Sequence, residues 1–312
     1  MNLRAAGTAV FAALVVVLPL LIPPFLTFEF TYVGAYAIAI LGLVILIGNS
    51  GQISLGHGAF VAVGGYAVAV LLQNLGLSYV FSVPIAALVC GLVGIGVGVV
   101  ALRLASVYLA LATFALAASV SPLLKRFKHL TGGVQGISLP SPHAPPALAH
   151  VMSNEAWFYY LTWGIAAVLF AIAYKGLHGG VGRSLRAIRD SEIAAIAFGI
   201  NPVFYKTLAF GWSAAYAGVA GALLAVVTAY VSPDVYGIPL SLTLLAGAVM
   251  GGLDLMWGAV IGAVAIEFLP LWAQRINPAL SSVVYGVAEI AIMMFMPIGI
   301  AGALMRIKAA RS

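Results

Sequence analysis

The 312-residue chain is 63% hydrophobic and 7% charged, with a mean hydropathy of +1.14. This excludes an ordinary soluble domain, which is roughly half apolar, and reads as an integral membrane protein. The single cysteine, Cys90, lies in an apolar run and excludes a disulfide framework or a thiolate metal cluster; the net charge of +6 reads as Lys and Arg gathered on cytoplasmic loops, not as a nucleic-acid surface.

In chain order, the N-terminal MNLRAAGTAVFAALVVVLPLLIPP carries one Arg before a long apolar run without a small-x-small cleavage site, so it reads as a retained first span. A spanning helix needs about 20 apolar residues. Runs long enough, or nearly so, are Ala9 to Leu26, Tyr32 to Ile47, Phe60 to Leu75, Ser82 to Ala101, Val107 to Leu124, Trp157 to Tyr174, Thr207 to Tyr230, Leu240 to Met250, Gly258 to Ala273 and Leu280 to Met296. The expected fold is therefore all-α and polytopic, one transmembrane domain over 1–312 with about ten spans. The eighth run, of 11 residues, reads as a half-helix or re-entrant segment buried by its neighbours.

The stretch IGNSGQISLGHGAFVAVGG, 47–65, holds six glycines among Asn49, Ser50, Gln52, Ser54 and His57. Irregular backbone at membrane depth survives only where protein or a watery cavity satisfies its amides. Gln52, Ser54, His57 and Gly58 are candidates to line or gate a path, while Gly64 and Gly65 read as close helix packing. GNSGQISLGHGA (48–59) is echoed by AVMGGLDLMWGA (248–259); paired glycine-broken segments in two halves of a chain point to a transport site, and in a chain with 35 glycines such matches also arise by accident.

Counting each run as one crossing puts the N-terminus, the loop after Ala101, the stretch 175–206 and the C-terminus on one side. That side holds Arg4, Arg103, Lys175, Arg183, Arg186, Arg189, Lys206, Arg306, Lys308 and Arg311, ten of the 14 basic residues, and is assigned to the cytoplasm. Lys125, Arg126, Lys128 and Arg275 fall opposite, the first three in tension with that assignment. The outer loop, about 125–156, contains TGGVQGISLPSPHAPP and reads either as a cap over an entrance or as a connector.

Catalytic chemistry is not legible. No P-loop occurs, because the one Lys followed by Ser or Thr, Lys206, is preceded by Tyr205. The five histidines have no i, i+4 pairing and no Cys partner, so no metal site is readable. Glu267 and Glu289 lie within apolar runs and make a poor proton relay; each reads as an acid bonded to a neighbouring helix or facing the interface.

The polar stretch SLRAIRDSEIAAIAFGINP, 184–202, is different. Asp190, Ser191 and Glu192 sit where acids and hydroxyls satisfy free amides at a helix start. Gly199 stands at a C′ position and Pro202 prevents continuation, so a capped helix of roughly 12 Å is expected over Ser191 to Phe198. Arg183, Arg186 and Arg189 recur every three residues, on one face able to meet lipid phosphate or an acidic partner.

Here the residues carry a resemblance. GRSLRAIRDSEIAAIAFGINPVFYKTLAF resembles the coupling loop, about 175–206, of the branched-chain amino acid ABC importer permeases of the LivM type. SGQISLGHGAF, LRLASVYLALATFALA, TGGVQGI, SAAYAGVAGAL, VSPD, GGLDLMWGAVIGA and MPIGIAGAL follow in family order over nearly the whole chain. Departures are Ala105-Ser106, where the family more often has Arg-Gly, and the residue types around Asp254; these bear on the substrate and not on the coupling pattern.

The resemblance implies a bacterial inner-membrane transport subunit and not an enzyme, with no cofactor on this chain and both termini cytoplasmic. The implied partners are a LivH-type permease, two cytoplasmic ATPase subunits that hydrolyse ATP, an extracytoplasmic substrate-binding protein and membrane lipid; nucleic acid is not among them. It assigns ATPase coupling to Arg186, Asp190, Ser191, Glu192, Ala195, Gly199, Ile200 and Asn201, and adds Thr131, Gly132 and Gly133 to the candidate path. The expected substrates are leucine, isoleucine and valine, with urea, short-chain amides or other amino acids as the alternative, and a gradient-driven transporter or channel as a rival from another class.

Overall fold

The computed structural model describes residues 15–101, 106–140, 143–145, 152–276, 278–296 and 298–309. The start of the first expected span, Arg4, Arg103, Ala105, Arg311 and most of 141–151 lie outside the described residues. What is described is almost wholly helical, and eight helical segments are long and apolar enough to cross a membrane. A shorter apolar helix, Ile238–Gly251, corresponds to the eighth expected run. The expected count of ten rests on adding that helix and the N-terminal run, whose described part is the helical stretch 15–21.

In chain order, α1 (15–21) is followed by α2 (Pro24–Leu43), which continues as a π-helical turn, Val44–Asn49. Next come α3 (His57–Leu75), α4 (Tyr79–Ala101), α5 (Ser106–Arg126) and the short α6 (Lys128–Thr131). Then follow β1 (Ile137–Ser138), α7 (Asn154–His178), α8 (Gly180–Asp190), α9 (Glu192–Ala197), α10 (Pro202–Thr228) and β2 (Tyr230–Val231). The chain closes with α11 (Ile238–Gly251), α12 (Met256–Ile276), α13 (Ser281–Phe295) and α14 (Gly299–Ala309).

The bundle is built around α10 and α2, which are mostly buried, whereas α4, α5 and α13 turn most of their apolar surface outward. Apolar side chains gain nothing by leaving lipid for another helix, so association relies on close backbone approach. The contacts follow that rule. A Cβ on Gly64 of α3 would land on the Gly218 backbone of α10, and one on Gly221 of α10 would land on Val61 of α3. Cys90 of α4, fully buried, packs on Gly218 with its sulfur 3.5 Å from the Phe60 carbonyl, as a small hydrophobe does.

Two ends are distinguishable. At one, α8 and α9 meet the ends of α7 and the π turn, the start of α10 and the loop between α11 and α12. At the other, Lys125 pairs with Asp234 at 2.5 Å, and β1 and β2 form a two-residue antiparallel ladder with Ile137 opposite Val231. Trp157 Nε1 there donates to the Tyr79 hydroxyl at 3.0 Å. Lys175, Arg183, Arg186, Arg189 and Lys206 thus gather at the first end, with Lys125, Arg126 and Lys128 at the second.

Candidate functional site

The segment 180–202 is organised by its own side chains. In α8 the buried residues are Gly182, Leu185 and Ile188, one stripe at three-residue spacing that lays the helix against the bundle. Ser191 is extended (φ −160°, ψ 108°), ends α8 and caps α9, its Oγ accepting from Ala194 N–H at 3.3 Å. The helix ends in a Schellman motif: Gly199 at φ +78° donates to the Ile196 carbonyl at 2.9 Å, and Ile200 N–H to Ala195 at 3.0 Å. Asn201 then caps α10, accepting from Phe204 N–H at 3.3 Å, with Pro202 at the first helical position. The regular helix, Glu192–Ala197, is one residue shorter at each end than the expected Ser191 to Phe198, because those two residues are its caps.

This places Arg186, Asp190, Ser191, Glu192, Ala195, Gly199, Ile200 and Asn201 on one continuous corner. Ala195 is buried, while Ile193 and Phe198 are 85% and 86% exposed and Ile196, Val203 and Phe204 are also exposed. Lys206 Nζ reaches Glu192 Oε2 at 2.6 Å and ties α9 to α10. Arg183, Arg186 and Arg189 are all exposed, and two of them also bond back into the bundle. Arg186 Nη1 donates to the Leu177 carbonyl at 3.0 Å and to Asn49 Oδ1 at 3.4 Å, and Arg189 Nη1 donates to the Gly48 carbonyl and to Asp254 Oδ1, the latter at 2.8 Å. Orphan carbonyls at the ends of α7 and the π turn draw the guanidinium groups inward.

The glycine-rich stretch breaks the bundle at depth. After Asn49 the chain runs non-helically to Gly56, and α3 starts with His57, whose Nε2–H donates to the Ala39 carbonyl at 2.8 Å. Ala39 lies ten residues before Asn49, so α3 begins roughly 15 Å inside the end that carries α8. Leu55 N–H finds Thr113 Oγ1 at 3.0 Å, two turns into α5.

A second interruption enters from the opposite end. From Asp234 the chain runs inward past the buried Tyr236 to α11, where Ser241 Oγ accepts from Gly58 N–H at 2.9 Å. The starts of α3 and α11 therefore meet inside the protein. At about 21 Å, α11 is short of a full crossing and runs from that meeting point to the α8 end.

Of the candidate path residues, Gln52, Ser54 and His57 are 5%, 1% and 1% exposed. Gln52 Nε2 donates to Ser50 Oγ at 2.8 Å and to the Lys206 carbonyl at 3.3 Å. Thr131, Gly132 and Gly133 belong to the opposite end, where Thr131 Oγ1 donates to Leu124 and Phe127 carbonyls at 2.6 and 2.9 Å. The two sets are not brought together. The echoed segments, by contrast, touch: a Cβ on Gly48 would land on the Leu253 carbonyl. Between the π turn and the loop joining α11 to α12 lies a crevice of about 250 Å³, lined by Gly48, Arg189, Gly252, Leu253 and Asp254 among others. Sequence reasoning missed the pairing of Arg189 with Asp254; the available signal was a lone acid inside a glycine-broken apolar run, opposite an arginine series.

A family model described as branched-chain amino acid transport system / permease component matches residues 25–296. The high-affinity branched-chain amino acid transport system permease protein LivM of Salmonella typhimurium is 32% identical over 252 residues, 74% of this chain and 59% of the relative. Its counterpart LivH of Escherichia coli is 26% identical over 287 residues, 86% of this chain and 92% of the relative. A probable LivM of Methanocaldococcus jannaschii is 27% identical over 326 residues, covering 86% and 90%. The chain thus spans 59% of the length of the enterobacterial LivM proteins it matches. No solved structure gives a significant match.

Proposed function

Because this chain belongs to the branched-chain amino acid transport permease family, we propose that it is a membrane-spanning subunit of an ATP-driven importer of leucine, isoleucine and valine. It pairs with a related LivH-type permease, receives substrate from an extracytoplasmic binding protein and is driven by two cytoplasmic ATPase subunits. The membrane is a bacterial inner membrane with both chain termini in the cytoplasm; the concentration of basic residues at the α8 end supports this orientation.

The observation that carries the reading is α9. Six residues make a helix too short to persist alone, yet both ends are capped and Glu192 is tied to Lys206. It holds Ile193 and Phe198 almost fully exposed at the basic end. An apolar knob held rigidly in that position suits insertion into a groove of a soluble motor subunit. Motion of the motor would pass through the Ser191 and Asn201 corners into α8 and α10, and from α10, the most buried helix, into α3 and α4.

Breaks at Ser50–Gly56 and before α11 supply joints at which the helices can re-pack. Uptake needs only weak contacts along the path when a binding protein supplies selectivity, and an interior with few charges suits aliphatic side chains. Reconstitution of the complex in liposomes tests the proposal: labelled leucine should enter only with ATP and binding protein, and excess urea should not compete. Leucine entry without ATP would overturn it in favour of a gradient-driven carrier, and competition by urea would reassign the substrate.

A further inference from the structure

We propose that Arg189 is a positioning residue for transport: it clamps the π turn to the loop between α11 and α12 at the α8 end and links their separation to movement of α9. The proposal rests on the coupling reading of α9 and adds to it the route by which motion reaches the translocation bundle.

Arg189 lies in the last turn of α8, with only Asp190 and Ser191 between it and α9. Its guanidinium reaches both halves of the bundle at once. One acceptor is the carbonyl of Gly48, in the π turn before the first break; the other is Asp254 Oδ1 at 2.8 Å, in the loop between α11 and α12. The stem of the same side chain lies over Gly51, where an added Cβ would come within 3.2 Å of Arg189 Cγ. Beneath the guanidinium, Gly48 and Leu253 are in backbone contact beside a crevice of about 250 Å³.

Both contacts come from one nitrogen, Nη1, whose two N–H bonds serve a carbonyl and a carboxylate together. The side chains of the pair are 39% and 62% exposed, so the contact adds little to folding and can be broken and remade during a cycle. Because α8 is joined to α9 through the extended Ser191, displacement of α9 pulls Arg189 from at least one acceptor and frees α2 and α11 to part. By the same connection, separation of the π turn from the α11–α12 loop would be felt at α9.

The test uses the full complex with its ATPases and binding protein in liposomes, reading leucine imported per ATP hydrolysed. Arg189→Ala and Asp254→Ala should each lower that ratio by about fivefold or more, the usual range for loss of coupling between two sites. The exchanged pair Arg189→Asp with Asp254→Arg should exceed either of its single substitutions. An unchanged ratio in Arg189→Ala, or an exchanged pair no better than its singles, overturns the proposal. If Arg189→Ala is not recovered folded, Arg189→Met serves, since it keeps the stem and removes the donors: a lowered ratio supports the clamp and a wild-type ratio overturns it. ATP-independent import by the wild-type complex would sink the coupling reading itself, whereas ATP-dependent import insensitive to Arg189 sinks only the clamp.

Discussion

The hydroxyl of Ser241, four residues into α11, accepts the backbone N–H of Gly58 at 2.9 Å, joining the starts of two helices that reach the protein interior from opposite ends. Both residues are buried. The hydrogen bond satisfies an amide that a helix start leaves free, where no bulk water is at hand to replace it.

Ser241→Ala should therefore destabilise the fold by about 1–3 kcal/mol, the usual consequence of leaving a buried donor unpaired. Thermal unfolding in detergent should show a lowered midpoint, with Ser241→Thr closer to wild type because it keeps the hydroxyl. A wild-type midpoint for Ser241→Ala would mean that Gly58 N–H finds another acceptor.

Ile193→Asp and Phe198→Asp should leave stability within about 0.5 kcal/mol of wild type, as expected for exposed positions, yet prevent co-purification of the ATPase subunits. Both side chains are more than four-fifths exposed. Retention of the ATPases at wild-type stoichiometry by both variants would show that α9 is a surface helix without a docking role.

Gly199 occupies φ +78°, which for other L-residues costs roughly 1–2 kcal/mol. Gly199→Ala should weaken ATP-dependent uptake modestly. Gly199→Pro, which fixes φ near −65° and removes the N–H bonded to Ile196, should abolish uptake while leaving helix content and membrane insertion intact. Circular dichroism alongside uptake separates the two effects, and normal uptake by the proline variant would discredit the capped geometry as a requirement.

Gly64→Ala should cost about 1–3 kcal/mol, because the added methyl meets the Gly218 backbone and α3 and α10 must separate. Gly164→Ala in α7, where an added Cβ meets nothing within 4 Å, should be neutral or slightly stabilising. The difference between the two unfolding midpoints measures how far the bundle depends on close α3–α10 approach.

Short-range physics was written in the residues. Hydropathy along a helix length located most spans, and the caps at Ser191, Gly199 and Asn201 depend on neighbours one to four positions away, so the corner around α9 could be read from the chain alone. The 11-residue run at Leu240 was legible as too short to cross for the same reason. Long-range partners were not. Gly48 touches Leu253, Arg189 reaches Asp254, and Ser241 meets Gly58 across 183 positions. Such meetings depend on the depth at which a broken helix restarts and on how closely glycine-lined helices approach. Apolar periodicity carries neither quantity, since every face of these helices is apolar, and only packing of the whole bundle in three dimensions determines which arginine turns outward and which is drawn in by a free carbonyl.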